Sequence, residues 1–208
     1  MRGALIAVGV AVVLVGLWAV SANNSLVKLD QGVKQSWSQV ENVYQRRMDL
    51  IPNLVETVKG VANFEKDTYV AVADARAKAT SIQLSPELLN DPQKFQQFEQ
   101  AQNQLSGVLG RLMAISENYP DLKSNQNFLE LQSELEGTEN RIAVERMRYN
   151  QAAQQYNTAI RKFPGSVVAN MSGFKAKAYF QVQNPAANQA PSVDFNFNTN
   201  TAPSTATH

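Results

Sequence analysis

The sequence predicts an all-α fold behind one amino-terminal membrane-spanning helix, and two observations carry that expectation. Apolar residues recur in steps of three and four through most of the chain, the spacing of helix faces packed on other helices. An unbroken apolar run, ALIAVGVAVVLVGLWAV, occupies residues 4–20 behind only Met1, Arg2 and Gly3.

From Ala4 to Ala22 a helix would span roughly 28 Å, close to the hydrocarbon thickness of a bilayer. Trp18 lies near one end, where interfacial tryptophans gather. Val20-Ser21-Ala22 would serve as a signal-peptide cleavage site, but the run exceeds the usual h-region of about 7–15 residues. Residues 4–22 are therefore read as an uncleaved anchor and the contact with the lipid bilayer. Arg2 on one flank and Lys28 and Lys34 on the other nearly balance, and the body is placed on the extracytoplasmic side.

After a short polar break at Asn23-Asn24-Ser25, helical sequence runs to about Ile82. Its seam reads Leu26, Leu29, Val33, Trp37, Val40 and Tyr44, and the next position due is Arg47. A cation on a buried stripe needs a partner, since stranding it costs about 3–5 kcal/mol. Pro52 follows, and a proline inside a helix removes one hydrogen bond at roughly 3 kcal/mol. Two unfavourable features this close suggest that the fold or a partner requires them. Either Pro52 turns a hairpin or it interrupts one continuous helix; the sequence leaves both open. The seam resumes as Ile51, Leu54, Val58, Val61, Thr68 and Val72, with alanines from Ala71 to Ala79 adding helix propensity.

Ser81 to Asn90 is a connection, and Asp91-Pro92 a helix start, aspartate capping and proline in the first turn. The helix carries Phe95, Phe98, Leu105, Leu109, Leu112 and Ile115 and ends near Tyr119-Pro120. From Ser124 the longest regular pattern runs Phe128, Leu131, Leu135, Thr138, Ile142, Glu145, Tyr149, Ala152, Tyr156, Ala159 and Phe163, until Pro164-Gly165 stops it. Glu145 breaks this seam as Arg47 breaks the first. Whether Arg47 meets Glu145, or lies nearer Glu130, depends on Pro52. Phe163, Met171, Phe174, Tyr179 and Phe180 are too apolar for a free linker, so this segment is expected to fold back on the bundle. From about Asn184 the composition turns to Asn, Pro, Ala, Thr and Ser, a disordered tail except for the strand-like alternation of Val193, Phe195 and Phe197.

Composition excludes much chemistry. The chain has 208 residues and a formal net charge of +1, giving no electrostatic case for nucleic acid. There is no cysteine, and the single histidine is His208 at the end of the tail. Thiolate nucleophiles, disulfides, His-ligated zinc and Ser-His-Asp arrangements are thereby removed.

Two long blocks carry a resemblance: NSLVKLDQGVKQSWSQVENVYQRRMDLIPNLVETVKG, and ENRIAVERMRYNQAAQQYNTAIRKFPGSVVANMSGFKAKAYF. Together with the apolar start, they closely resemble the LemA family of bacterial membrane proteins over residues 3–182, and the late VDF resembles the family's ending. The resemblance implies an up-and-down bundle of about four helices, residues 25–182, behind a single-pass anchor in the bacterial inner membrane. It implies no catalytic residues.

The expected function is that of a non-enzymatic scaffold or adaptor working through protein contacts, by self-association or with a membrane protein partner, and without a cofactor or metal. The interaction candidates are Arg46, Arg47, Asp49, Pro52 and Asn53 on the first helix, with Glu145, Asn150, Asn157 and Arg161 on the last. Membrane organisation, with an amphipathic face over Leu26 to Tyr44, is one alternative. A carboxylate enzyme is the other, with Glu139, Glu145 and a helix tyrosine, and it would need a deep polar pocket and a raised carboxylate pKa.

Overall fold

The computed structural model, which describes residues 2–61 and 64–181, carries the apolar run and the first seam on one long helix. Helix α1 runs from Arg2 to Lys59, roughly 87 Å at the helical rise, so the apolar run and the first bundle helix are one rod. The expected break at Asn23–Ser25 does not form. Asn in a helix costs only a few tenths of a kcal/mol, and the Asn23 carboxamide oxygen here accepts from Ser172 Oγ at 3.2 Å. The break falls instead at Gly60, short of the predicted Ile82, and helix α2 begins at Lys66 and ends at Thr80.

Pro52 turns no hairpin; it lies inside α1 on an exposed face. Its missing N–H leaves the Met48 carbonyl without the usual i+4 donor. Arg76 of α2 replaces it, donating from Nε to Met48 O at 3.0 Å. The helix therefore continues because a neighbouring helix caps the gap.

A 3₁₀ turn, Pro86–Asn90, leads to helix α3, Pro92–Ser116, capped as expected: the Asp91 carboxylate accepts from the Gln93 and Lys94 backbone N–H groups at 3.1 Å. A single turn, α4 (Pro120–Lys123), precedes α5 (Gln126–Arg161), whose Asn125 cap accepts from Phe128 N. Helix α6 spans Gly165–Ser172. Gly165 is obligatory at the α5–α6 corner, because a Cβ there would lie 2.3 Å from the Ala159 carbonyl oxygen. Gly173, with φ +74°, ends α6 in the left-handed conformation.

Helices α1, α2, α3 and α5 run up, down, up and down as a four-helix bundle. Its interior divides in two. Toward the apolar run is an aromatic core of Trp37, Tyr44, Phe95, Phe98, Tyr149, Tyr156 and Phe180. Beyond Met48 is a mainly aliphatic one, with Ile51, Leu54, Val58, Leu105, Leu112, Leu135 and Phe128. The seams predicted these residues apart from Phe180, which was expected only within the segment that folds back on the bundle; conversely Phe163, placed on the last seam, is 82% exposed.

From Phe174 to Gln181 the chain is an extended strap laid between α3 and α5. With no strand beside it among the described residues, its backbone is bonded mostly by side chains, apart from the Ala178 N–H, which donates to Leu89 O at 2.9 Å. Asn157 holds Lys177, accepting from its N–H at 2.8 Å and donating to its carbonyl at 2.9 Å. One heptad earlier, Asn150 holds Phe180 the same way, both bonds at 2.9 Å. The Tyr149 hydroxyl donates to Ala178 O, and Gln181 N–H donates to the buried Glu99 carboxylate. The strap thus completes the aromatic core with Phe180.

Candidate interaction site: a buried arginine hub and the groove beside it

Arg47 sits at the junction of the two cores with its side chain 0% exposed. Its Nη1 donates to Glu139 Oε1 at 2.6 Å and to Ser106 Oγ at 2.8 Å, and its Nη2 donates to Gln102 Oε1. Ser106 Oγ reaches the other Glu139 oxygen at 3.4 Å. Three helices thus converge on one guanidinium, which also lies 5.1 Å from the centroid of the Tyr44 ring. Its Nε has no hydrogen-bond partner among the described residues. Tyr44 is bonded from its other side by Arg146 Nε at 2.6 Å. Burial raises the Tyr44 pKa against the opposing pull of Arg146 and Arg47, so the phenol stays protonated.

The partner of Arg47 is therefore neither Glu145 nor Glu130. With α1 continuous and α5 antiparallel to it, residue 47 lies level with residue 139. Glu145 pairs with Arg148 one turn on at 2.6 Å, and Glu130 accepts from Gln126. Glu139 and Glu145, the pair an enzyme would have needed, thus serve different arginines.

The remaining candidates separate by position. Arg46 is exposed and 3.7 Å from Glu134. Asp49 accepts from Gln45 on the α1 surface, and Asn53 is exposed in a shallow groove with Glu130 and Glu134. Arg161 is exposed at the end of α5, remote from the hub. Only Arg47 of the nine is at the hub; Asn150 and Asn157 are strap clamps.

Sequence reasoning missed Gln102, Ser106, Arg76, Lys177 and Asp30. Gln102 had a signal: the α3 seam steps from Phe98 to Leu105 over a position that Gln102 fills. The clamps had one too, the Tyr-Asn pair repeated one heptad apart at 149–150 and 156–157. Lys177, 7% exposed, had none; it reaches Asp30 Oδ1 at 2.8 Å and Asn90 Oδ1 at 2.9 Å. Burial works against the Asp30 anion, but hydrogen bonds and charge from Lys177 and Lys34 outweigh it and lower the pKa.

Past the strap's end, the cleft between α3 and α5 stays open as a groove of about 410 Å³. Leu109, Gly110, Met113 and Leu135 form its apolar walls, and Ser106 and Glu139 of the hub close one end. A larger cleft of about 730 Å³ by the 3₁₀ turn is bordered by exposed Glu87 and Lys94 and lacks convergent buried groups. Glu41, whose pKa burial raises, lines neither. Among the described residues no cluster of carboxylates or imidazoles is placed to hold a metal.

Comparison with known proteins places the sequence in a family. Residues 36–195 match the LemA family. The chain is 30% identical over 174 residues to magnetosome protein MamQ 2 of Paramagnetospirillum magneticum, covering 76% of this chain and 64% of that protein. The same identity and coverage hold over 173 residues for magnetosome protein MamQ of Magnetospirillum gryphiswaldense. Protein LemA of Metamycoplasma hominis is 25% identical over 162 residues, covering 78% of this chain and 70% of that one. The chain thus spans just under two thirds of the MamQ proteins. The arginine hub and the clamped strap lie within the matched residues, and the chain belongs to the LemA family.

Proposed function

We propose that the protein is a membrane-anchored scaffold that works through protein contacts, its bundle held on the extracytoplasmic side of the inner membrane and its partner surface the α3–α5 groove. One observation carries this reading: the two buried cations among the described residues are held in internal bonds beneath the open surface. Arg47 is enclosed by Glu139, Gln102 and Ser106, and Lys177 by Asp30 and Asn90. The open surface beside them is an apolar-walled groove, suited to a helix or side chains from a second protein, and a second copy of this chain is the first occupant to test.

Gly110 allows the groove to be filled without disturbing the core, since a Cβ there meets nothing within 4 Å. Chemical crosslinking of the full chain in its membrane would compare wild type with Gly110→Ala and Gly110→Trp. Adducts in wild type and Gly110→Ala that vanish in a folded Gly110→Trp are expected. Adducts that survive in Gly110→Trp, or that never form, would count against this surface.

A further inference from the structure

Helix α6 has two apolar faces, and among the described residues only one of them is packed. Val168 and Ala169, 7% and 3% exposed, pack with Leu26 and with Ala22 of the α1 rod. Val167 and Met171, one turn apart on the other face, are 47% and 83% exposed, and Phe163 just before the helix is 82% exposed. A soluble surface scatters such residues singly; three together at one end call for a cover. The cover is indicated by position. The Phe163 ring stacks on Trp18, centroids 6.3 Å apart, and Ser172 bonds to Asn23. The foot of α5 and the whole of α6 therefore stand level with residues 18–26 of α1, where the apolar run ends. Charge agrees with place: Arg161 and Lys162 are exposed beside Phe163, and no Asp or Glu occurs between Arg148 and Asp194.

We propose that α6 with Phe163 is a second membrane contact, an amphipathic foot. Phe163, Val167 and Met171 enter the boundary of the hydrocarbon, while Arg161 and Lys162 meet the phosphates of anionic headgroups. A single rod through the bilayer leaves the bundle free to tilt about it; a foot beside the rod fixes the tilt and the face the bundle turns outward. The occupant is the bilayer surface, because the patch is continuous with the segment that crosses it. The inference rests on the anchor reading of residues 4–22 but not on the scaffold proposal.

The absence of cysteine makes the test clean. Single substitutions Phe163→Cys, Val167→Cys and Met171→Cys in the full chain would each carry a nitroxide label in vesicles of phosphatidylcholine and phosphatidylglycerol. Collision rates with oxygen, which concentrates in hydrocarbon, are compared with those of a water-soluble nickel chelate. Leu14→Cys in the apolar run and Glu117→Cys at the distal end serve as references. An oxygen-to-nickel ratio several-fold above the Glu117 site, at all three positions, is expected. Values equal to the Glu117 site would overturn the foot while a hydrocarbon reading at Leu14 kept the anchor; water-like values at Leu14 would overturn both. Labels shielded from both probes would mean that protein covers the face, and would also overturn the proposal.

Discussion

Removing Glu139 should cost far more than removing the arginine it serves. Arg47 is wholly buried, whereas the Glu139 side chain is 40% exposed. Glu139→Ala would leave a buried guanidinium facing only the neutral acceptors Gln102 and Ser106. Breaking a buried pair this way costs about 3–5 kcal/mol. The partial exposure of Glu139 screens the attraction and places the expected loss near the lower end, about 3 kcal/mol. Replacing Arg47→Met together with Gln102→Leu removes the charge and its buried neighbour at similar volume, while Glu139 can take up water. That variant should fall within about 1 kcal/mol of wild type. Urea unfolding of the full chain, followed by Trp37 fluorescence in a Trp18→Phe background, would measure both. At a slope of about 2 kcal/mol per molar urea, Glu139→Ala should lower the midpoint by roughly 1.5 M and the apolar pair by less than about 0.5 M. Equal losses in the two variants, or a Glu139→Ala shift below about 0.5 M, would refute the asymmetry and the burial argument behind it.

Three further outcomes follow from the same contacts. Arg76→Met should uncap the Met48 carbonyl and cost about 1.5–3 kcal/mol, the range for a charge-assisted bond; adding Pro52→Ala, which restores an N–H donor, should recover much of it in a double-mutant cycle. Asn157→Ala removes both bonds to Lys177, so the Lys177 amide, and less strongly that of Phe180, should lose hydrogen-exchange protection while α1 amides in the distal core keep theirs. The pH dependence of thermal stability should show two limbs. The Asp30 pKa is lowered by folding, so its contribution is complete above pH about 4 and lost as pH falls through the folded value, a limb that Asp30→Asn should flatten. Burial raises the Tyr156 pKa to about 12, so its contribution is complete below pH about 10 and lost between there and about 12, and Tyr156→Phe should reduce that limb.

Seam reading located most of the buried core, because burial of a helix face imposes a period that any chain must show. Arg47 was legible as a buried cation for the same reason: it interrupts that period. Its partner was not, since level across a bundle depends on whether Pro52 turns the chain, and that depended on Arg76, twenty-four residues away, supplying one hydrogen bond. The strap was legible only as an apolar segment that must return to the bundle, because its backbone is bonded mostly by scattered Asn, Tyr and Glu side chains rather than by a repeating ladder. Phe163 shows the opposite failure: its place in the seam period was correct, but α5 ends at Arg161, before the face it would have covered. The strand-like Val193, Phe195 and Phe197 lie outside the described residues.

The most direct test of the scaffold account is the native mass of the full chain released from lipid nanodiscs, with anchor and tail intact. A discrete multiple of the 22.9 kDa chain, reduced to the single chain by Gly110→Trp, is the predicted result. A wild-type protein that leaves the bilayer as a bare monomer, with no second protein bound, would contradict it.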